Sequence, residues 1–72
     1  MNDDGDRPEG VHAVGLNGEL HPLDDIEQLP DEGCRHVWLV RVPRGLSLAV
    51  PLEVQVAKLP GNTEIRFEWA LR

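Results

Sequence analysis

The final stretch of the chain alternates charged and large apolar side chains almost without exception, from Glu64 to Arg72. Successive side chains of a β-strand point to opposite faces of the sheet, whereas a helix repeats every 3.6 residues. The alternation therefore predicts an amphipathic strand over residues 64–72. Its apolar members form one predicted buried face: Ile65, Phe67, Trp69 and Leu71.

The segment Arg35–Val42 predicts a second strand. It is rich in branched and aromatic residues and is apolar on both faces in its middle, as expected of a central strand. Later in the chain, Val50, Leu52, Val54 and Val56 alternate with other residues and predict a strand with one buried face.

Short turn motifs separate these strands. Asn17-Gly18 stands between apolar residues and predicts a hairpin over about residues 11–21 with a type I′ turn, closed by Pro22. Pro60-Gly61-Asn62 predicts the turn before the last strand. These motifs indicate that the strands are mostly joined by local hairpins.

One segment has helical spacing. Leu23, Ile26 and Leu29 follow one another every three residues, and the acids between them suit the first turn of a helix. We expect one short helical or 3₁₀ turn here. It ends at Pro30 and is followed by a turn at residues 31–33.

Together these elements predict a mainly β fold, with a small α+β fold as the alternative. About five strands and one helical turn suggest a small antiparallel barrel or a curled sheet over residues 10–72. Residues 1–9 carry four acids and almost no apolar side chain, which predicts a disordered acidic tail. Seventy-two residues leave room for only one domain.

Charge is distributed unevenly along the chain. The net charge is −6, but residues 1–32 alone sum to −9, whereas residues 33–72 sum to +3. The two halves can pair internally, or the acidic half can attract a basic partner. The excess of acid argues against direct binding of nucleic acid, because that binding depends on Lys and Arg.

Several site classes find little support. The candidate zinc ligands are His12, His21, Cys34 and His36. Their spacing matches no finger or knuckle, and the acidic pairs match no calcium loop. The chain also lacks a nucleophile elbow and a phosphate loop, so we expect no enzyme activity and no cofactor, with Cys34 as a small apolar filler at a strand start.

The expected location is the cytoplasm. The runs without charged residues, such as 10–18 and 45–52, are far shorter than the ~20 residues that span a bilayer. The first residues are acidic rather than basic, unlike a secretory signal. A single cysteine favours a reducing compartment.

An acidic segment in the first half is the predicted protein-binding site. Its carboxylates would steer a basic partner, and its two apolar side chains would then be buried on docking. The predicted site consists of Asp24, Asp25, Ile26, Glu27, Leu29, Asp31 and Glu32. The alternative interpretation is a solvated acidic turn.

The two tryptophans are expected in the core. Trp38 lies on the predicted central strand, and Trp69 shares a face with the other apolar residues of the last strand. If the last strand lies at the edge of a sheet, however, it can pair with a partner strand or with its own copy over residues 64–72.

Two resemblances are also present. The residues from His36 to Pro43, with Trp-Leu-Val running into a proline, resemble the opening strand of the dimerisation domain in the small subunit of the general transcription factor TFIIF and in its RNA polymerase I counterpart. As a small, acidic single domain with one thiol, the chain also resembles phage-encoded proteins that inhibit host RNA polymerase. The second resemblance implies transcription regulation through a protein partner.

The sequence therefore predicts a non-enzymatic, acidic, protein-binding regulator of a nucleic-acid-handling machine such as RNA polymerase. The alternative is a structural or oligomerisation module that pairs through the last strand.

Overall fold

Hydrophobic alternation and turn residues divide the chain into six short strands. In the computed structural model, which describes residues 7–71, these are β1 (Glu9–Val14), β2 (Leu20–Pro22), β3 (Ile26–Glu32), β4 (Arg35–Val42), β5 (Val54–Lys58) and β6 (Thr63–Trp69). They form two three-stranded sheets, ordered β2-β1-β5 and β3-β4-β6. The mainly β class is confirmed, but the described residues form neither a closed barrel nor a helical turn.

The predicted first hairpin is formed by β1 and β2, which pair antiparallel. Its turn differs from the predicted type I′, which needs a positive φ at both central residues. Only Gly18 of the Asn17-Gly18 pair has one, at 88°. The Gly18 N–H donates to the Gly15 carbonyl at 2.9 Å, and the Gly15 N–H donates to the Glu19 carbonyl at 2.6 Å. This is a three-residue loop in which a glycine in the left-handed region follows a tight turn.

The predicted helical turn over residues 23–29 is wrong, because Ile26 begins strand β3. Ile26 and Leu29 lie on opposite faces of that strand, and each has an apolar neighbour on β4: Ile26 pairs with Val40 and Leu29 with Val37. Pairing with a strand that is apolar on both faces therefore outweighs the local helical spacing. Pro30 is accommodated at an edge strand, where the register shifts between Leu29 and Glu32.

A two-residue turn joins β3 to β4. Glu32 pairs with Arg35, and Gly33 takes a φ of 63° at the first turn position. The second turn position holds Cys34, whose side chain is exposed. The prediction that Cys34 is a small apolar filler at a strand start is therefore wrong, because Cys34 lies in the tight turn before β4 with its side chain exposed.

The prediction that local hairpins join most strands fails for β4 and β6, which pair in parallel from His36 with Thr63 to Val42 with Trp69. Parallel strands require a long crossover, and the chain between them, 43–62, contributes β5 to the other sheet. The two sheets are thus linked by this connection, and β6 becomes an edge strand beside β4.

The core lies between the two sheets. Its buried members are Val11, Ala13, Leu23, Val40 and Val42, with Ile26, Leu48, Val54, Val56 and Ile65 packed against them. Trp38 is also buried, as predicted.

The predicted buried face of the strand over 50–56 is only partly formed. Val54 and Val56 pack against the core, but Val50 is 91% exposed and Leu52 is exposed as well. The ladder of β5 begins after Pro51, which has no N–H to donate.

Residues 7–9, at the end of the predicted tail, contact the rest of the chain. Pro8 is fully buried, the Arg7 guanidinium lies 5.8 Å from the ring centre of Trp38, and Glu9 begins β1. The rest of the predicted tail, 1–6, lies outside the described residues. Within 7–71, no helix has the length and apolar character needed to cross a membrane.

Candidate functional site

The β3-β4-β6 sheet has two unlike faces, and the strand registers determine which residues share each face. We call the side that packs on the other sheet the inner face; it carries Ile26, Gln28, Trp38, Val40, Val42, Ile65, Phe67 and Trp69. We call the opposite side the outer face; it carries Glu27, Leu29, Arg35, Val37, Leu39, Arg41, Glu64, Arg66 and Glu68.

The predicted acidic docking segment is divided between these two faces. Ile26 is half-buried and packs against the core, whereas Glu27 and Leu29 lie on the outer face. The two apolar residues that were expected to dock together therefore point in opposite directions. Ile26 therefore contributes to the packing of the core.

Arg41 binds three carboxylates on the outer face. Its Nη1 lies 3.1 Å from Oδ1 of Asp25, its Nη2 contacts Glu27, and its Nε lies 3.2 Å from Oε2 of Glu68. Hydrogen bonds to Glu27 and Asp25 raise the pKa of Arg41 above its ordinary value. Two acids of the predicted docking segment are thus engaged by a base on the central strand.

A second group of ion pairs lies further along the same face. Arg66 Nη2 is 2.8 Å from Oε1 of Glu32, and Arg66 Nε is 2.7 Å from Oε2 of Glu64. Arg35 Nη1 is 2.9 Å from Oε1 of Glu64. Hydrogen bonds from Arg66 and then Arg35 lower the pKa of Glu64, and those to Glu64 and Glu32 raise the pKa of Arg66.

The remaining acids of the segment behave differently from one another. Asp31 lies 3.2 Å from Nδ1 of His36. Asp24 has no ion-pair partner among the described residues, and it lines a cavity of about 350 Å³ together with Ile26 and the start of β1. Four of the five predicted docking acids therefore contact a basic or imidazole side chain of their own chain. The sequence signal for this pairing was the opposite charge of the two halves of the chain, −9 over residues 1–32 and +3 over residues 33–72.

The predicted buried face of the last strand is largely open. Ile65 packs against the core, but Phe67 is 40% exposed, Trp69 is 50% exposed and Leu71 is 96% exposed. The prediction that this face belongs to the core is therefore correct for Ile65 but wrong for Phe67, Trp69 and Leu71. The alternation correctly placed Ile65, Phe67 and Trp69 on one face, but only Ile65 packs against the core.

Strand β6 also has an open backbone edge in the described part of the chain, because only β4 pairs with it. Its far end is held in place by two contacts: the Ala70 N–H donates to the Val42 carbonyl at 2.9 Å, and Arg44 Nε donates to the Ala70 carbonyl at 2.6 Å. Exposed aromatic side chains and unpaired backbone groups therefore coincide on a fixed strand. An edge of this kind can accept a further strand.

The geometry of the described residues does not support a metal site. Among residues 7–71, no three His, Cys, Asp or Glu side chains are grouped so that they could hold a metal ion. His12 and His21 lie on neighbouring strands, whereas Cys34 and His36 lie at the β3–β4 turn of the other sheet. Comparisons with family models, with curated proteins and with solved structures gave no match.

Proposed function

We propose that this chain is a non-enzymatic protein-interaction module whose docking element is the edge strand β6. The observation that supports this most strongly is the exposure of Phe67 and Trp69 on a strand whose second edge has no partner in the described residues. Exposed aromatic residues give large burial on docking, and a free edge supplies backbone hydrogen bonds. The cytoplasm is the expected compartment, because the exposed Cys34 persists as a thiol there.

The acidic segment, 24–32, is the second candidate. The carboxylate of Asp24, which has no ion-pair partner within residues 7–71, and the net charge of −6 favour it. In that case the partner has a basic surface, as RNA polymerase and other nucleic-acid-handling machines do, and the chain regulates that machine. The internal ion pairs of Asp25, Glu27, Asp31 and Glu32 reduce the charge that this segment can offer.

Site-specific photocrosslinking in the source cell separates the two candidates. A photoreactive phenylalanine analogue is placed at Phe67, at Asp24 or, as a control, at Gln55 on β5. We expect a protein adduct from position 67, and little from 24 or 55. Adducts from position 24 alone would transfer the function to the acidic segment, and equal adducts from all three positions would contradict a specific docking strand.

A further inference from the structure

The backbone of β6 defines which groups it offers at its free edge. The His36 N–H donates to the Asn62 carbonyl at 2.7 Å, and the Ala70 N–H donates to the Val42 carbonyl at 2.9 Å. Bonds in a parallel ladder fall on alternate residues, so the even-numbered residues of β6 bond to β4. The N–H and C=O groups of Ile65, Phe67 and Trp69 therefore point to the free edge.

All three side chains lie on the inner face of the sheet, and those of Phe67 and Trp69 are exposed. An added antiparallel strand must place its own outward-pointing residues opposite them to form hydrogen bonds. Strand β6 itself satisfies this condition, since a second copy related by a two-fold axis presents the same odd-numbered set.

The charges of the outer face restrict the position of that axis. An axis at Arg66 places two arginines opposite each other, and an axis at Glu68 does the same with two glutamates. Like charges directly opposite are destabilising in a sheet. An axis at Ile65 or Phe67 instead places Arg66 opposite a glutamate of the second copy.

Burial distinguishes the two remaining positions. With the axis at Ile65, Trp69 would face Gly61 of the second copy, and Phe67 would face Thr63. With the axis at Phe67, the two phenylalanines face each other, and Ile65 faces Trp69 twice. Aromatic pairs and aromatic–β-branched pairs are among the stabilising cross-strand contacts.

The side chains of Arg66 and Glu68, which would pair across the axis, each retain a polar atom for an ion pair between the two copies. Arg66 uses Nε and Nη2 within its own chain, and Glu68 uses Oε2. In the described residues, Arg66 Nη1 and Glu68 Oε1 have no ion-pair partner. Pairing between copies therefore adds contacts without breaking those within the chain.

The geometry points to a homodimer in which β6 pairs antiparallel with β6 of a second copy, with the two-fold axis at Phe67 and with Arg66 opposite Glu68 on both sides. This inference rests on the proposed function, because it names the occupant of the β6 edge as the chain itself. The result is a continuous six-stranded sheet in which the exposed parts of the two inner faces lie side by side.

Sedimentation equilibrium over a range of protein concentrations tests the dimer, and isotope-filtered nuclear Overhauser spectra of a mixed labelled sample test its register. We expect a reversible dimer and an intermolecular contact between the α-protons of Arg66 and Glu68. These two residues form a non-hydrogen-bonded pair, in which the backbones approach most closely. A contact between Glu64 and Arg66 would instead place the axis at Ile65 and overturn the register.

Two matched variants test the charge pairing. Arg66→Glu places glutamates opposite each other on both sides of the axis and should raise the dimer dissociation constant about tenfold. Arg35→Glu makes the same charge change next to the same Glu64, but on the central strand, and should leave the constant within about twofold. Equal effects of the two variants would overturn the pairing, and circular dichroism confirms that both variants fold.

The outcomes also separate this inference from the proposed function. A chain that remains monomeric at all concentrations, yet crosslinks to another protein through position 67, overturns self-pairing and leaves β6 as the docking strand. A chain that is monomeric and gives no adduct at position 67 overturns both.

Discussion

The two edges of the β3-β4-β6 sheet border the same central strand but differ in how they meet solvent. Each places a large apolar residue beside Val40: Ile26 on β3 and Phe67 on β6. Ile26 packs against the core, whereas Phe67 is 40% exposed. The second sheet thus covers one side of Val40 more fully than the other.

The backbone edges differ in the same sense. The Arg41 N–H donates to the Asp25 carbonyl at 2.9 Å, so even-numbered residues of β3 face the free edge of that strand. Pro30 lies among them and has no N–H to donate, and the strand register shifts at the same place, between Leu29 and Glu32. Strand β6 has neither a proline nor a shift in its pairing. One edge is therefore protected against strand addition, and the other is open to it.

Truncating Ile26, on the better covered side of Val40, should have the largest effect on stability. Ile26→Ala removes a side chain that packs on the core and should lower the free energy of unfolding by about 2 kcal/mol. Urea denaturation measures this loss. A loss below ~0.5 kcal/mol would show that β3 is no better covered than β6.

The matching truncation on the open side should cost less. Phe67→Ala would cost about 3–5 kcal/mol in a full core, but at 40% exposure we expect about 1 kcal/mol in the monomer. The measurement is the same urea denaturation, made at a protein concentration well below the dissociation constant of the dimer. A loss larger than that of Ile26→Ala would remove the distinction between the two edges.

Restoring a backbone donor on the protected edge sharpens the comparison further. Pro30→Thr should change the stability of the monomer by less than ~0.5 kcal/mol, because the residue is exposed. It should nevertheless promote oligomers larger than a dimer, since both edges of the sheet can then pair. Light scattering detects these species, and Pro43→Thr, outside the strands, serves as the control. Identical scattering for the two variants would show that Pro30 does not protect the edge.

Acidification should have the smallest effect, through the ion pairs that link both edges to β4. The pKa of Glu64 is lowered in the folded chain, so its contribution is present above the ordinary glutamate range and is lost as pH falls through the lowered value. The loss of unfolding free energy below about pH 4 should be smaller in Glu64→Gln than in the wild type. Equal acid limbs would contradict a role of Glu64 in this dependence.

Local patterns predicted the strands well where the residue pattern fitted only one kind of secondary structure. The alternation of β6 and the apolar centre of β4 followed directly from residue order, as did the positions of the turns at Gly18 and Asn62, although the first turn is not of type I′. The segment after Leu23 was misjudged because spacing by three residues also fits a strand that has apolar neighbours on both faces.

Cover by distant elements was not predictable in the same way. Nothing in the order of Ile65, Phe67 and Trp69 shows that only the first of them packs against the core, because that depends on the path of residues 43–62. Likewise, the acids of β3 looked available for a partner because their bases lie on strands that are remote in sequence, at Arg41 and Arg66.

Hydrogen exchange of individual amides in β6 tests the central claim, that this edge is open, most directly. At a concentration where the chain is monomeric, the amides of Ile65, Phe67 and Trp69 should exchange much faster than those of Arg66 and Glu68, which bond to β4. At high concentration the odd-numbered amides should become protected. Strong protection of all five amides in the dilute monomer would contradict an open edge, and so would exchange at Phe67 that does not change with concentration.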